Sequence, residues 1–269
     1  MGSALRCPAG SHAVHAEWTK LRTVPGTGWL AAGAVAVTAA VSVLALAATR
    51  CPAGTACPVD TARLSLTGVQ AGQAVVAVLA VLSIGSEYST GMIRVTLAAL
   101  PRRTELLAAK AAVVTGLALA AGTAAVACCL LAGRLLLPGQ GFTPARGFGL
   151  LSVTDGPQLR AFAGSVLYLG LIGLLSVGLS VLIRDPGTAI GTVLGLLYLS
   201  PIIAAFLGGS PVWQHRVERY APMSAGLAIQ DTTGLHGLPV GPWGGLGVLA
   251  AWAGAALVAG AVALRWQDA

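Results

Sequence analysis

Residues 161–183 read AFAGSVLYLGLIGLLSVGLSVLI, an apolar run that contains no charged side chain. A helix of about 20 such residues is long enough to cross the hydrocarbon core of a bilayer, because each residue adds about 1.5 Å. Arg184-Asp185-Pro186-Gly187 follows directly and is typical of a tight turn between two helices. The run therefore predicts one membrane-spanning helix, with another beginning immediately after the turn.

Five further runs have the same character, and none of the six contains Asp, Glu or Arg. They cover residues 29–48, 67–86, 106–131, 188–207 and 243–264. Only Lys110 brings a charge, one turn into the third run, where a long side chain reaches the interface. Long apolar runs without alternation favour helices. The sequence predicts an all-α integral membrane protein with six transmembrane helices in a single domain, residues 1–269.

The composition excludes most other classes of protein. Hydrophobic residues make up 56% of the 269 residues and charged residues only 9%, with a mean hydropathy of +0.81. A soluble domain carries about 25% charged residues, so this chain has too few to cover a water-exposed surface. Intrinsic disorder needs low hydrophobicity and high net charge, which is the opposite balance. The net charge of +7 is scattered rather than clustered, so we expect no nucleic-acid partner.

The distribution of basic residues predicts the orientation of the chain. An even number of spans places both termini on one side of the membrane. If that side is the inside, the inner segments 1–28, 87–105, 184–187 and 265–269 carry the higher density of Lys and Arg. Cytoplasmic segments show this enrichment. We therefore expect a multi-pass protein of the bacterial cytoplasmic membrane with both termini in the cytoplasm.

Residues 13–22, AVHAEWTKLR, predict a short helix that lies along the membrane surface. Val14, Trp18 and Leu21 fall on one helical face. The polar and charged side chains lie mostly away from that face and include Glu17, Lys20 and Arg22. A helix of this kind places its apolar side among the lipids and its basic side in water. The alternative interpretation is a polar N-terminal tail.

Residues 85–110, GSEYSTGMIRVTLAALPRRTELLAAK, predict a second amphipathic helix on the cytoplasmic face, between the second and third spans. Ile93, Leu97 and Leu100 share one face of a helix that is too short to cross a membrane. Pro101 ends it, and the adjacent arginines mark the cytoplasmic surface. The alternative is a plain connecting loop. Such a loop would need neither this apolar stripe of three side chains on one face nor so many charges beside it.

Residues 211–222, PVWQHRVERYAP, contain a third stripe formed by Trp213, Val217 and Tyr220. This spacing indicates a helix that lies at, or dips into, the outer membrane interface. A plain extracellular loop is an equally good interpretation of the same residues.

The cysteines fall into three settings. Cys51 and Cys57 bracket a short Pro/Gly loop, CPAGTACP, so they form either a disulfide on an oxidising exterior or two free thiols. Cys128 and Cys129 lie inside an apolar run and are expected to be ordinary buried residues. Cys7 belongs to the polar N-terminus.

Gln70 and Gln73 are the most polar pair inside any of the spans and share one face of the second. They either line a path for a substrate or join two helices by hydrogen bonds, and packing is the slightly favoured interpretation.

Three kinds of catalytic, binding or ion-coupling site are missing from the sequence. Lys20 follows Thr19 and Lys110 follows Ala109, so no Gly-Lys-Ser/Thr loop is present to hold nucleotide phosphates. The histidines do not form a metal-binding motif, and we expect no metal site. The apolar runs contain no carboxylate of the kind that proton- or cation-coupled carriers place near the bilayer centre. We expect this chain not to be an enzyme.

The three amphipathic segments, in this order on six spans, resemble the permease subunit of type-2 ABC exporters. The nearest group is that of the actinobacterial multidrug and antibiotic-resistance permeases. The main matching residues are Glu17-Trp18-Thr19-Lys20-Leu21-Arg22, Glu87-Tyr88, Gly91, Ile93-Arg94, Thr96-Leu97, Pro101-Arg102-Arg103 and Lys110. Weaker matches are Arg184-Asp185-Pro186, Tyr220-Ala221-Pro222 and Ala225-Gly226.

The resemblance implies a function and a set of partners. It implies that residues 87–105 contact a separate ABC ATPase subunit, which binds ATP and Mg²⁺, whereas this chain binds no cofactor. The implied coupling residues are Glu87, Tyr88, Gly91, Arg94, Pro101, Arg102 and Arg103. It also implies a second permease copy, with the exported substrate passing between the two. The alternatives from other classes are a gradient-driven secondary transporter and a non-transporting membrane anchor. The substrate and the choice between homodimer and heterodimer stay open.

Overall fold

The computed structural model describes residues 25–52, 57, 59–89, 103–146, 148–149, 151–206 and 211–266. Within these ranges the chain is helical, with no β-strand. The α-helices are α1 (Pro25–Ala48), α2 (Thr61–Ser65), α3 (Val69–Ser89), α4 (Arg103–Leu136), α5 (Gly156–Ile183), α6 (Pro186–Phe206), α7 (Pro211–Tyr220), α8 (Pro222–Leu227) and α9 (Pro242–Trp266). Short 3-10 turns occur at Pro138–Gln140, Pro144–Arg146, Ala228–Gln230 and Leu235–Gly237.

Five of these helices, α1, α4, α5, α6 and α9, are long and apolar enough to cross a membrane. The all-α membrane class predicted from the sequence is therefore supported. The apolar part of α3, Val69–Gly85, falls into the shorter class of 10–17 residues. The count of six spans accordingly stays a prediction.

The helices are longer than the apolar runs that predicted them. The third run, residues 106–131, lies inside α4, which has 34 residues. The fourth run begins at residue 161, but α5 already begins at Gly156, with Pro157 in its first turn. Proline is well suited to that position because its fixed φ matches the helix and its missing N–H has no partner there. The apolar run marks only the apolar part of a helix. The helical backbone continues beyond the ends of that run.

The long helices alternate between two ends of the bundle. We call the end formed by the described residues within 49–68, 137–155 and 231–241 the disulfide end, and the end at Arg184 and Asp185 the turn end. At the turn end, side chains of α3, α4, α5 and α9 bury one another, among them Ile84, Leu107, Val181 and Leu264.

The turn between α5 and α6 is as tight as its sequence predicts. Arg184 adopts a left-handed conformation with φ of 65° and ends α5. The Asp185 Oδ2 atom then accepts a hydrogen bond of 2.7 Å from the backbone N–H of Thr188 in the first turn of α6. That hydrogen bond lowers the pKa of Asp185 below its ordinary value, because it stabilises the ionised carboxylate.

Helices α7 and α8 form a hairpin that enters the bundle from the disulfide end. The Trp252 Nε1 atom donates a hydrogen bond of 3.0 Å to the Tyr220 carbonyl oxygen at the tip of this hairpin. Trp252 lies ten residues beyond Pro242, the first residue of α9, which corresponds to about 15 Å along the helix axis. Of the two interpretations of residues 211–222, the helix is the one observed, and it is one limb of this hairpin. Its position relative to the membrane stays a prediction.

The returning limb of the hairpin, α8, is enclosed by the bundle. A Cβ atom at position 245 of α9 would collide with the Ala225 carbonyl oxygen, and one at position 226 would collide with the Tyr168 ring. Glycine at both positions lets the hairpin backbone approach its neighbours this closely. Small residues in the sequence therefore create the space that the hairpin occupies.

At the disulfide end, Cys51 and Cys57 are joined by a disulfide bond with a Cα–Cα distance of 6.0 Å. The backbone N–H of Cys51 donates a hydrogen bond of 2.9 Å to the carbonyl oxygen of Gln140. This contact fastens the bridged loop after α1 to the connection after α4. Cys128 and Cys129 carry free thiols, and the Cys129 thiol is buried against the Ser42 hydroxyl at 3.2 Å.

We predict that replacing both bridged cysteines by serine lowers the free energy of unfolding by about 2 kcal/mol, because the unfolded loop gains conformational freedom. Thermal unfolding in detergent micelles with and without a reductant measures this. Reduction should bring the wild type to the stability of the double variant and leave that variant unchanged. An equal effect of reductant on both proteins would contradict the prediction.

Candidate functional site

A polar cluster inside the bundle connects α3, α5 and the hairpin of α7 and α8. Its centre is Gln73 of α3, whose side chain is fully buried. The Gln73 Oε1 atom accepts a hydrogen bond from the hydroxyl of Tyr168 on α5, which is equally buried. The Gln73 Nε2 atom donates to the sulfur of Met223 on α8, at 3.3 Å. One amide group therefore connects three elements that are far apart in the sequence.

Gln70 lies one turn before Gln73, but its side chain is exposed on the surface of the bundle. Its backbone carbonyl oxygen accepts a hydrogen bond from the Tyr198 hydroxyl of α6. The helix-joining interpretation thus describes the contacts of Gln73, whereas a role of either residue in a substrate path stays a prediction.

A second polar contact holds the end of the hairpin on α5. The Gln230 Nε2 atom donates a hydrogen bond of 3.1 Å to the Ser165 hydroxyl, and both side chains are buried. The Ser165 hydroxyl in turn donates to the Ala161 carbonyl oxygen at 2.8 Å. Because buried polar groups are costly without partners, these bonds fix the position of the hairpin in the bundle.

Asp60 organises the disulfide end. Its carboxylate caps α2 by accepting hydrogen bonds from the backbone N–H groups of Ala62 and Arg63, each at 3.1 Å. It also accepts bonds from the backbone N–H groups of Thr232 at 2.6 Å and Thr233 at 3.1 Å. One carboxylate therefore ties the connection between α1 and α3 to the connection between the hairpin and α9.

Asp231 lies beside this carboxylate and is itself buried. Its side chain forms an ion pair with Arg63, and its carbonyl oxygen accepts a hydrogen bond of 2.6 Å from Arg160. Burial raises the pKa of Asp231 above its ordinary value of 3.8. The positive charge of Arg63 lowers this pKa and only partly offsets the effect of burial, whereas the negative charge of Asp60 raises it further. The cluster is thus both charged and partly dehydrated.

Most of the residues with a predicted coupling or interfacial role lie outside the described residues. These are Glu17, Trp18, Lys20 and Arg22 of the N-terminal segment, and Gly91, Arg94, Pro101 and Arg102 of the segment after α3. The backbone of Glu87 and Tyr88 belongs to the last turn of α3, and Arg103 is the first residue of α4. Both helix ends therefore lie at the turn end, on either side of residues 90–102.

The described part of the chain holds no group of three or more His, Cys, Asp or Glu side chains placed to bind a metal ion. Its polar clusters contain hydrogen-bonded amides, hydroxyls and ion pairs that join elements together. These contacts fix the positions of the elements relative to one another.

Sequence reasoning missed several residues of these clusters. Asp60 carried a usable signal, because an aspartate directly before Thr61-Ala62-Arg63 is a good helix N-cap. Tyr168, Met223 and Asp231 carried none, since their partners come from distant parts of the chain.

No protein-family model matches the chain, and no curated protein matches it. The resemblance to the exporter permeases therefore rests on the sequence motifs alone.

We predict that Gln73→Leu lowers the free energy of unfolding by about 1–2 kcal/mol, because it leaves the buried Tyr168 hydroxyl without its acceptor. Gln70→Leu is the matched control and should change it by less than about 0.5 kcal/mol, since that side chain is exposed. Adding Tyr168→Phe to Gln73→Leu should restore part of the loss. Unfolding in detergent measures all three variants, and equal effects of the two glutamine substitutions would contradict the assignment.

Asp231 should give the protein a distinct pH dependence. Because its pKa is raised in the folded state, the folded protein binds a proton more readily than the unfolded chain. Its contribution to stability therefore rises as the pH falls from above the raised pKa towards 3.8. We expect Asp231→Asn to remove this rise. The melting temperatures of variant and wild type, measured across the pH range, should therefore differ by an amount that changes with pH. A pH-independent difference would contradict the raised pKa.

Proposed function

We propose that the chain is the transmembrane permease subunit of an ATP-driven ABC-type exporter. In this proposal α3 is a sixth span besides the five long apolar helices, and two permease copies form the substrate path. A separate ATPase subunit binds ATP and Mg²⁺ and contacts residues 87–105. The membrane is the bacterial cytoplasmic membrane, and both chain termini lie in the cytoplasm.

The disulfide supports this orientation. Disulfide bonds persist on the oxidising outer side of a membrane and are rare in the cytoplasm. The bond between Cys51 and Cys57 therefore favours an extracellular location for the disulfide end. The turn end, with residues 90–102 between α3 and α4, then faces the cytoplasm, where an ATPase has access to it.

The observation that carries the proposal is the position of α3 between the two ends. This helix of 21 residues begins at the disulfide end and finishes at Ser89, about 30 Å away along its axis. Near its outer end Gln73 contacts both Tyr168 and Met223. A movement imposed on residues 87–105 by an ATPase would therefore reach the hairpin through a rigid helix, as in rigid-body transitions of other proteins.

The coupling residues of the proposal are those that the resemblance implies. Glu87 and Arg94 provide charges on the segment that faces the ATPase, and Arg102 and Arg103 flank its Pro101 end. Charged side chains at the rim of an interface direct partner choice and register. The absence of a phosphate-binding Gly-Lys-Ser/Thr loop from the sequence favours ATP hydrolysis in the partner.

We predict that the full-length protein, purified from membranes, retains the ATPase encoded beside it, and that Glu87→Ala or Arg94→Ala lowers the retained amount about tenfold. A loss of this size corresponds to one interfacial charge pair. ATPase activity in the purified fraction measures it. Arg50→Ala, an exposed arginine at the disulfide end, is the control and should retain the wild-type amount.

The outcomes separate the three classes of function. An anchor subunit tolerates Glu87→Ala and Arg94→Ala in any transport assay. A gradient-driven carrier moves substrate in ATP-free vesicles in response to a proton gradient. If the wild type retains no ATPase and transport survives the loss of ATP, the exporter proposal is wrong.

A further inference from the structure

The last turn of α4 carries an arginine that is exposed at the disulfide end. The Arg134 Nε atom donates a hydrogen bond of 2.6 Å to the Leu151 carbonyl oxygen, which holds the guanidinium in place beside the helix. Within the described part of the chain, no carboxylate forms an ion pair with Arg134. Its two Nη groups therefore stay open to an anion that does not belong to this chain.

The charged cluster nearby does not neutralise Arg134. In that cluster Asp231 pairs with Arg63, and its carbonyl oxygen accepts a hydrogen bond from Arg160. Asp60 is occupied by the backbone that it caps and by the backbone that follows the hairpin. Two carboxylates and two guanidinium groups leave this cluster with no net charge. The positive charge of Arg134 therefore comes in addition to it.

The face of α4 that carries Arg134 is otherwise apolar at this end. Leu131 lies three positions before Arg134 and Leu135 one position after it, and residues spaced in this way share one helical face. Their side chains are 57% and 79% exposed. Because α4 is long and apolar enough to cross a membrane, this face contacts lipid. The guanidinium thus lies at the edge of a lipid-facing surface.

The length of α4 places Arg134 at the level of the lipid headgroups. The helix begins at Arg103, and Arg134 follows 31 residues later, about 46 Å along the axis. A bilayer measures about 40–45 Å across when its headgroup layers are included. The spacing of the two positions therefore matches the two headgroup layers. Phosphate is the anion found at that level, and arginine binds it through charge-assisted hydrogen bonds that are often bidentate.

We propose that Arg134, Leu131 and Leu135 form a binding site for an anionic phospholipid, such as phosphatidylglycerol, in the leaflet at the disulfide end. The guanidinium binds the headgroup phosphate through its Nη groups, and the two leucines contact the acyl chains. A zwitterionic headgroup binds less well, because its own positive group is repelled by the guanidinium. The site requires only that α4 crosses the membrane, so it does not rest on the proposed function.

Native mass spectrometry of the full-length protein in detergent tests the site. The protein receives equal amounts of phosphatidylglycerol and phosphatidylcholine with identical acyl chains, and the ratio of the two bound lipids is measured. We expect the wild type to retain more phosphatidylglycerol, and Arg134→Gln to lower the ratio about fivefold, the effect of one arginine at an anionic lipid surface. Arg134→Lys keeps the charge and should lower the ratio by less than about twofold.

Arg50→Gln is the matched control. Arg50 is also exposed at the disulfide end, but it follows the last residue of α1 and lies outside a helical face. Its substitution should lower the ratio by less than about twofold. Equal losses in Arg50→Gln and Arg134→Gln would reveal a general attraction between charges and overturn the site. If Arg134→Lys loses as much as Arg134→Gln, the positive charge does not hold the lipid, and the proposal is wrong.

Two further outcomes would overturn the proposal. Inorganic phosphate in molar excess over the lipids should leave the ratio unchanged, since it has no acyl chain to contact Leu131 and Leu135. If phosphate abolishes the preference, the site binds a free anion rather than a lipid. A role of Arg134 confined to the helix dipole would alter the thermal stability of Arg134→Gln but leave its lipid ratio at the wild-type value.

None of these measurements involves an ATPase. A chain that retains no ATPase but shows the expected lipid ratios would keep the lipid site and reject the exporter proposal.

Discussion

Every polar group that is buried in the helical bundle must find its partner inside the protein, and the hairpin of α7 and α8 is the element on which this constraint weighs most. Its turns expose backbone groups that a straight span would keep within its own helix. The structure supplies partners from neighbouring side chains: Trp252 binds the Tyr220 carbonyl oxygen, and Ser165 accepts from Gln230. The hairpin can pack inside the bundle because α5 and α9 offer these donors and acceptors, and because Gly226 of the hairpin and Gly245 of α9 allow close approach.

The same contacts connect the hairpin to the rest of the bundle. Gln73 binds the hairpin through Met223 and α5 through Tyr168, so these elements share one buried amide. At the disulfide end, Asp60 binds the backbone that follows the hairpin. The hairpin is thereby held at its tip, its middle and its end. A change in α3 that broke the amide contacts would release the middle while the charged cluster still held the end.

The sequence predicts the helices well because each apolar run is a local property of the chain. It predicts the hairpin less well, since the spacing of Trp213, Val217 and Tyr220 is the same for a helix on a surface and for one limb of a hairpin that packs on the bundle. Their difference lies in Trp252, which is 32 residues away. Likewise, Gln70 and Gln73 look equivalent on the helical wheel, and only Tyr168 and Met223, 95 and 150 residues away, make one buried. Residues whose partners are distant in the chain cannot be recognised from local patterns.

The contacts of the disulfide end also differ in when they can form during synthesis. The cysteine bridge spans six residues and can close as soon as both cysteines have been made and reach an oxidising environment. Asp60, by contrast, binds Thr232, 172 positions later. Until the hairpin has been made, that carboxylate has only its helix-capping bonds. Because chains emerge from the ribosome N-terminus first, the hairpin is among the last elements to be made, and the bonds of Asp60 to Thr232 and Thr233 can form only after it.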